Sequence, residues 1–142
     1  MGAFGEDHRK IEERPDVLVY TTPPLTETLE VVGPITVDLH ATPDGRDTDF
    51  MTRILDVHSD GRSIAFGPAS VGAIRARYRD SIERLSRLEP GRPYRYTIEL
   101  GHIGYEFPVG HRIRLEITSS ATPFLDVNPN TAIRSPPTRW FG

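Results

Sequence analysis

Tyr94-Arg95-Tyr96-Thr97-Ile98-Glu99-Leu100 alternates large apolar and polar side chains without a break. Successive strand side chains point to opposite faces, so Tyr94, Tyr96, Ile98 and Leu100 form one face of a β-strand. A helix would spread the same apolar residues around its circumference. Two more stretches repeat the pattern. Ile35, Val37, Leu39 and Ala41 alternate with Thr36, Asp38 and His40; Ile113, Leu115, Ile117 and Ser119 alternate with Arg112, Arg114, Glu116 and Thr118. Asp16–Thr21 is rich in Val and Tyr, and Val71–Arg77 is a further strand. Phe50–His58 is apolar on both faces, the mark of a central strand. A turn at Asp60-Gly61 joins it to an extended run at Arg62–Phe66. One short helix is predicted over Ser81–Leu88, where Asp80 and Glu83 have capping-box spacing and Ile82, Leu85 and Leu88 recur.

The 13 prolines and 12 glycines are spread between these segments as turn punctuation. Short strands between frequent turns predict an all-β sandwich of two packed antiparallel sheets. About eight strands favour a jelly roll, with an immunoglobulin-like sandwich as the alternative. The 142 residues hold one domain, large enough to fold without disulfides.

The absence of cysteine excludes thiolate metal sites, iron–sulfur clusters and cysteine nucleophiles. Net charge is −3, which argues against a general nucleic-acid binder. The charge is uneven: residues 1–60 carry 13 acids and 5 bases, while residues 61–142 carry 7 acids and 12 bases. No apolar run approaches the ~18 residues of a membrane span. Met1–Lys10 lacks an apolar signal region, so a cytoplasmic location is expected.

A catalytic serine is not apparent. The nearest approach to a Gly-x-Ser-x-Gly elbow is Pro68-Ala69-Ser70-Val71-Gly72, where proline occupies the first glycine position and no helix follows. Asp56, His58 and Ser59 offer triad residue types, but their adjacency reads as a strand end running into a turn. His8, His40, His58, His102 and His111 have no metal-ligand spacing and read as lone residues at strand edges. Asp126, Asn128 and Asn130 open like a calcium loop, but Thr131 and Pro137 replace the required Gly and Glu. They read as an ordered structural loop whose side chains cap backbone amides. The acidic loop at Asp44, Asp47 and Asp49 has the residues to hold a single calcium ion. No glycine-rich phosphate loop is present, and neither a cofactor nor a resident metal is expected.

Arg75-Ala76-Arg77-Tyr78-Arg79 is the densest charge feature. On a strand the three arginines would share one face and require anionic partners, either internal acids, a partner surface or a small anion. Arg75, Arg77, Tyr78 and Arg79 are therefore the candidates for a docking surface. Trp140, Phe141, Phe107, Tyr105, Tyr78 and Phe124 are the aromatics that a carbohydrate site could use, or core and chain-end residues.

The order of segments carries a resemblance. Arg14–Thr21 is followed by Pro24-Leu25-Thr26-Glu27, then Val32–Val37, then Asp47-Thr48-Asp49-Phe50 and Leu55-Asp56-Val57-His58-x-Asp60-Gly61-Arg62. Ile74–Arg79, Leu88-Glu89-Pro90-Gly91 with Tyr94, Gly110–Leu115 and Asn128-Pro129-Asn130-Thr131 complete the series. Over residues 14–131 the chain resembles the C-terminal β-sandwich domain of the X-Pro dipeptidyl-peptidase and cocaine-esterase family. The resemblance implies a galactose-binding-domain-like jelly roll at residues 14–142, preceded by a linker remnant at residues 1–13. It implies a non-catalytic module packed on an α/β-hydrolase domain of the same parent protein, where the Ser-Asp-His triad lies. Its role would be docking and assembly. A homodimer through the face left by the hydrolase domain is a further expectation, and no nucleic acid or membrane partner is expected. Gly101–Phe107 and Ala121–Phe124 depart from the family pattern, and both are placed in loops that would face the hydrolase domain. The alternative function is a standalone carbohydrate- or ligand-binding sandwich.

Overall fold

The computed structural model describes residues 5–81, 83–84 and 86–119. It is an all-β sandwich of two antiparallel sheets. The strands are β1 (Val17–Thr21), β2 (Leu29–Ala41), β3 (Asp49–Val57), β4 (Ser63–Ala65), β5 (Val71–Arg75), β6 (Tyr94–Phe107) and β7 (Arg112–Thr118). One sheet has the order β1-β7-β3-β4, with β5 also paired to β3; the other is the long β2–β6 pair. The described residues thus hold seven strands, against the eight of a jelly roll.

β3 is the central strand expected from its two apolar faces. β7 runs along one edge, while β5 and β4 share the other, opposite Asp49–Arg53 and Leu55–Val57. Phe50, on its inner face, packs beside Tyr96 of the facing sheet at 4.9 Å between ring centroids. Ala76, Leu88, Tyr96 and Ile98 are the buried centre of this core, flanked by Val37, Leu39, Phe50 and Ile74.

The β2–β6 pair extends beyond both alternating stretches. β2 begins at Leu29 and passes through Gly33 and Pro34. A proline is tolerated there because β2 is an edge strand, paired only with β6. β6 runs on through Gly101–Phe107, the segment expected as a loop. The register shifts between Pro34 and Thr36, opposite Leu100-Gly101. Such a bulge switches the inward face from even to odd residues, so Ile103 and Phe107 are buried like Tyr96 and Ile98 before them. The β6 backbone approaches β5 and the Pro68–Ser70 turn tightly here. A Cβ on Gly72 would lie 2.5 Å from the Glu99 carbonyl oxygen, and one on Gly101 would lie 2.8 Å from Ala69 Cβ.

The predicted helix over Ser81–Leu88 is absent from its described residues. Its donors are used elsewhere: Glu83 N–H donates to Ser81 Oγ, Ser86 N–H to the Arg77 carbonyl and Leu88 N–H to the Arg46 carbonyl. These bonds place Leu88 in the core, and local side-chain bonding at Ser81 competes with helix. The helical turn instead is α1 (Arg9–Glu12), within the segment expected as a linker. That segment packs on the domain. Gly5 N–H donates to the Ala65 carbonyl, Asp7 bridges Ile64, and His8 N–H donates to the Ser63 carbonyl. His8 is fully buried against the outer face of the larger sheet. Its Nδ1 lies 3.1 Å from Glu116 Oε1 of β7, and its Nε2 lies 3.1 Å from Arg53 Nη1 of β3.

Candidate functional site

The arginine cluster does not form one strand face. β5 ends at Arg75, and Ala76–Tyr78 turns as a single 3₁₀ turn. Each arginine meets its own internal acceptor. Arg75 forks onto Asp49, its register partner on β3, with Nε and Nη2 each 2.8 Å from a carboxylate oxygen. Arg77 is buried against Asp47, whose Oδ1 accepts the Arg77 backbone N–H at 2.9 Å. Arg79 donates to the carbonyls of Ala76 and Ser86 and lies over the Tyr94 ring. Of the four docking candidates, Tyr78 is the exposed one.

The same contacts engage the acidic loop. The Asp47 and Asp49 carboxylates turn inward onto the Arg77 and Arg75 guanidinium groups. Asp126, Asn128, Asn130, Trp140, Phe141 and Phe124 lie outside the described residues.

The serine candidates are not assembled for catalysis. Ser70 is fully buried in the 3₁₀ turn Pro68–Ser70, and its hydroxyl donates to the Gly67 carbonyl. His58 Nε2 is 3.7 Å from Asp56 Oδ2, and its Nδ1 faces Arg62 Nη2 instead of Ser59.

A different cluster forms at the end of the sandwich. Asp56 lies on the inner face of β3, buried, with His58 two residues further along the same face. The tight turn between β6 and β7 delivers His111, whose Nδ1 is 2.7 Å from Asp56 Oδ1. The two imidazoles lie 4.6 Å apart between centroids. Tyr105 reaches across from β6 and donates its hydroxyl hydrogen to Asp56 Oδ2 at 2.6 Å. Burial, and then that hydrogen bond, push the Tyr105 hydroxyl above the ordinary tyrosine range, so it stays a donor. Its ring stacks on Phe66 at 4.0 Å, which occupies a face that a sugar ring would need. Asp56, His58 and His111 each offer one ligand atom, and these atoms all lie within 4.8 Å of one another. Sequence spacing hides this grouping, because His111 is brought in by the pairing of β7 with β3.

Comparison with known proteins agrees with this architecture. The family model of the X-Pro dipeptidyl-peptidase C-terminal non-catalytic domain matches residues 2–139. The chain is 38% identical over 125 residues to cocaine esterase of Rhodococcus sp. (strain MB1 Bresler), covering 88% of this chain and 21% of that protein. An aminopeptidase from the marine sediment archaeon Thaumarchaeota archaeon superposes with TM-score 0.85 at 32% identity, over 92% of this chain and 22% of that one. An α-amino acid ester hydrolase superposes with TM-score 0.85 at 30% identity, over 95% of this chain and 22% of that one. The chain therefore spans about a fifth of the length of these relatives. A family-model match over nearly every residue makes this chain a member of the X-Pro dipeptidyl-peptidase C-terminal non-catalytic domain family.

Proposed function

We propose that this chain is the non-catalytic C-terminal domain of a larger serine hydrolase acting on ester, amide or peptide bonds. Its partner is an α/β-hydrolase domain of the same polypeptide, which carries the nucleophile. The observation that supports this most directly is the family match over residues 2–139 to a domain described as non-catalytic. The similar proteins point the same way, being an esterase, an aminopeptidase and an ester hydrolase several times longer than this chain.

The docking role narrows to the surface around Tyr78. Arg75, Arg77 and Arg79 hold the backbone that presents this exposed ring, through Asp49, Asp47 and the Ser86 carbonyl. Docking contacts would then come from Tyr78 and neighbouring exposed polar groups such as Asp80, with the buried guanidinium groups as support.

The test uses the purified chain. No turnover of p-nitrophenyl esters or X-Pro anilides is expected, and no labelling by a fluorophosphonate. Hydrolysis abolished by that reagent would overturn the proposal. An antibody against the chain should detect a band several times heavier than 15.9 kDa in the source lysate.

A further inference from the structure

We propose that Asp56, His58 and His111 form a binding site for a divalent transition metal, with Zn²⁺ the best fit. The site lies at the end of the sandwich where β3 leaves the sheet and β7 enters it.

Three observations carry the assignment. The first is the donor set. Two imidazoles and one carboxylate suit zinc, whereas calcium and magnesium take oxygen ligands. The second is spacing. A tetrahedral ion with bonds of about 2.0–2.1 Å holds its ligand atoms roughly 3.3 Å apart. His111 Nδ1 is 2.7 Å from Asp56 Oδ1, and His58 Nε2 is 3.7 Å from Asp56 Oδ2. The two contacts run to different oxygens of the one carboxylate, and the three ligand atoms all lie within 4.8 Å of one another, so an ion entering there would draw the two imidazoles in around Asp56. The third is support. Tyr105 donates to Asp56 Oδ2 and fixes the carboxylate, the outer-shell contact that metal-binding carboxylates typically have. The backbone on either side is also tied. His111 N–H donates to the Pro108 carbonyl and its own carbonyl accepts from Leu25 N–H. His58 is closed into its turn by Arg62 and Gly61.

Among the described residues, Arg62 is a cation that faces the site, with Nη2 3.4 Å from His58 Nδ1. Its firmer bond is to Asp60 at 2.8 Å, on the exposed side of the turn. It can leave His58 without losing that partner, and Asp60 balances its charge. The side chains of His58 and His111 are 30% and 16% exposed, so the ion is reachable and water can complete its coordination. Bound there, the ion would clip the β3 end to the β6–β7 turn.

The experiment is a Zn²⁺ titration of the chelator-stripped, tag-free chain by calorimetry, with a thermal melt alongside. Uptake of one equivalent and a rise in melting temperature are expected, with no response to Ca²⁺. His58→Asn should weaken Zn²⁺ binding by at least ~10-fold while the metal-free melt stays near wild type. His102→Asn, an exposed change elsewhere on β6, should bind as wild type. His111→Asn also removes a hydrogen bond to Asp56, so His58→Asn carries the decision. No uptake at micromolar Zn²⁺, or equal uptake by His58→Asn, would overturn the assignment.

Discussion

Arg77 and Asp47 face each other inside the domain, with Arg77 Nε 3.4 Å from Asp47 Oδ2 and both side chains almost wholly buried. Asp47 also accepts the Arg77 backbone N–H, so it holds the 3₁₀ turn as well as the charge. Removing one partner of a buried ion pair strands the other, at a cost of about 3–5 kcal/mol. Arg77→Ala is therefore expected to lower stability by about that amount in urea denaturation. Loss below ~0.5 kcal/mol, the usual result at an exposed site, would show that the pair is not structural.

His8→Ala should destabilise the domain although the residue precedes every strand. It removes a bridge between Arg53 and Glu116 under full burial. A buried polar group left unsatisfied costs about 1–3 kcal/mol. Hydrogen exchange should show faster exchange at the Gly5 and His8 amides, which bond to β4.

Gly72→Ala places a methyl group 2.5 Å from the Glu99 carbonyl oxygen. Neither backbone can retreat without disturbing its sheet, and overpacking of this kind costs about 1–3 kcal/mol. Gly104→Ala is the matched control on β6, because its added Cβ meets nothing within 4 Å. Thermal melts of the two variants should differ by several degrees.

Strong acid should loosen the N-terminal segment. The hydrogen bond from Arg9 holds the Asp7 carboxyl at about 2, below its ordinary 3.8. The folded state binds that proton less readily than the unfolded state, so the contribution is present above ~4 and fades as pH falls towards 2. Asp7 also accepts the Ser63 N–H. Exchange at Ser63 and His8 is expected to accelerate across this window, and Asp7→Asn should flatten the response.

The strands were legible where one face is buried and the other wet, as in Tyr94–Leu100. The continuation to Phe107 was not, because the bulge opposite Ile35 inverts the alternation at Leu100-Gly101. The helix over Ser81–Leu88 had local signals that lost to tertiary bonds from Ser86 and Leu88. The arginines were legible as needing acids, but only the fold shows that Asp47 and Asp49 supply them. Asp56 and His58 were visible on one strand face. His111 lies 55 residues beyond Asp56, and only pairing of β7 with β3 brings them together. Residues 1–13 were expected as a linker remnant because the resemblance starts at Arg14, yet the buried His8 and the backbone bonds of Gly5 and His8 join the described part of this segment to the sheet.

That attachment bears on how such domains can be exchanged between hydrolases. A border drawn by strands falls near Val17, whereas burial begins by His8 and backbone pairing by Gly5. A graft joined at the first strand would carry an Arg53–Glu116 pair stripped of its cover and import a foreign peptide over it. Joined ahead of Gly5, the transplanted piece brings its own cover, with the Gly5 and His8 bonds to the sheet intact.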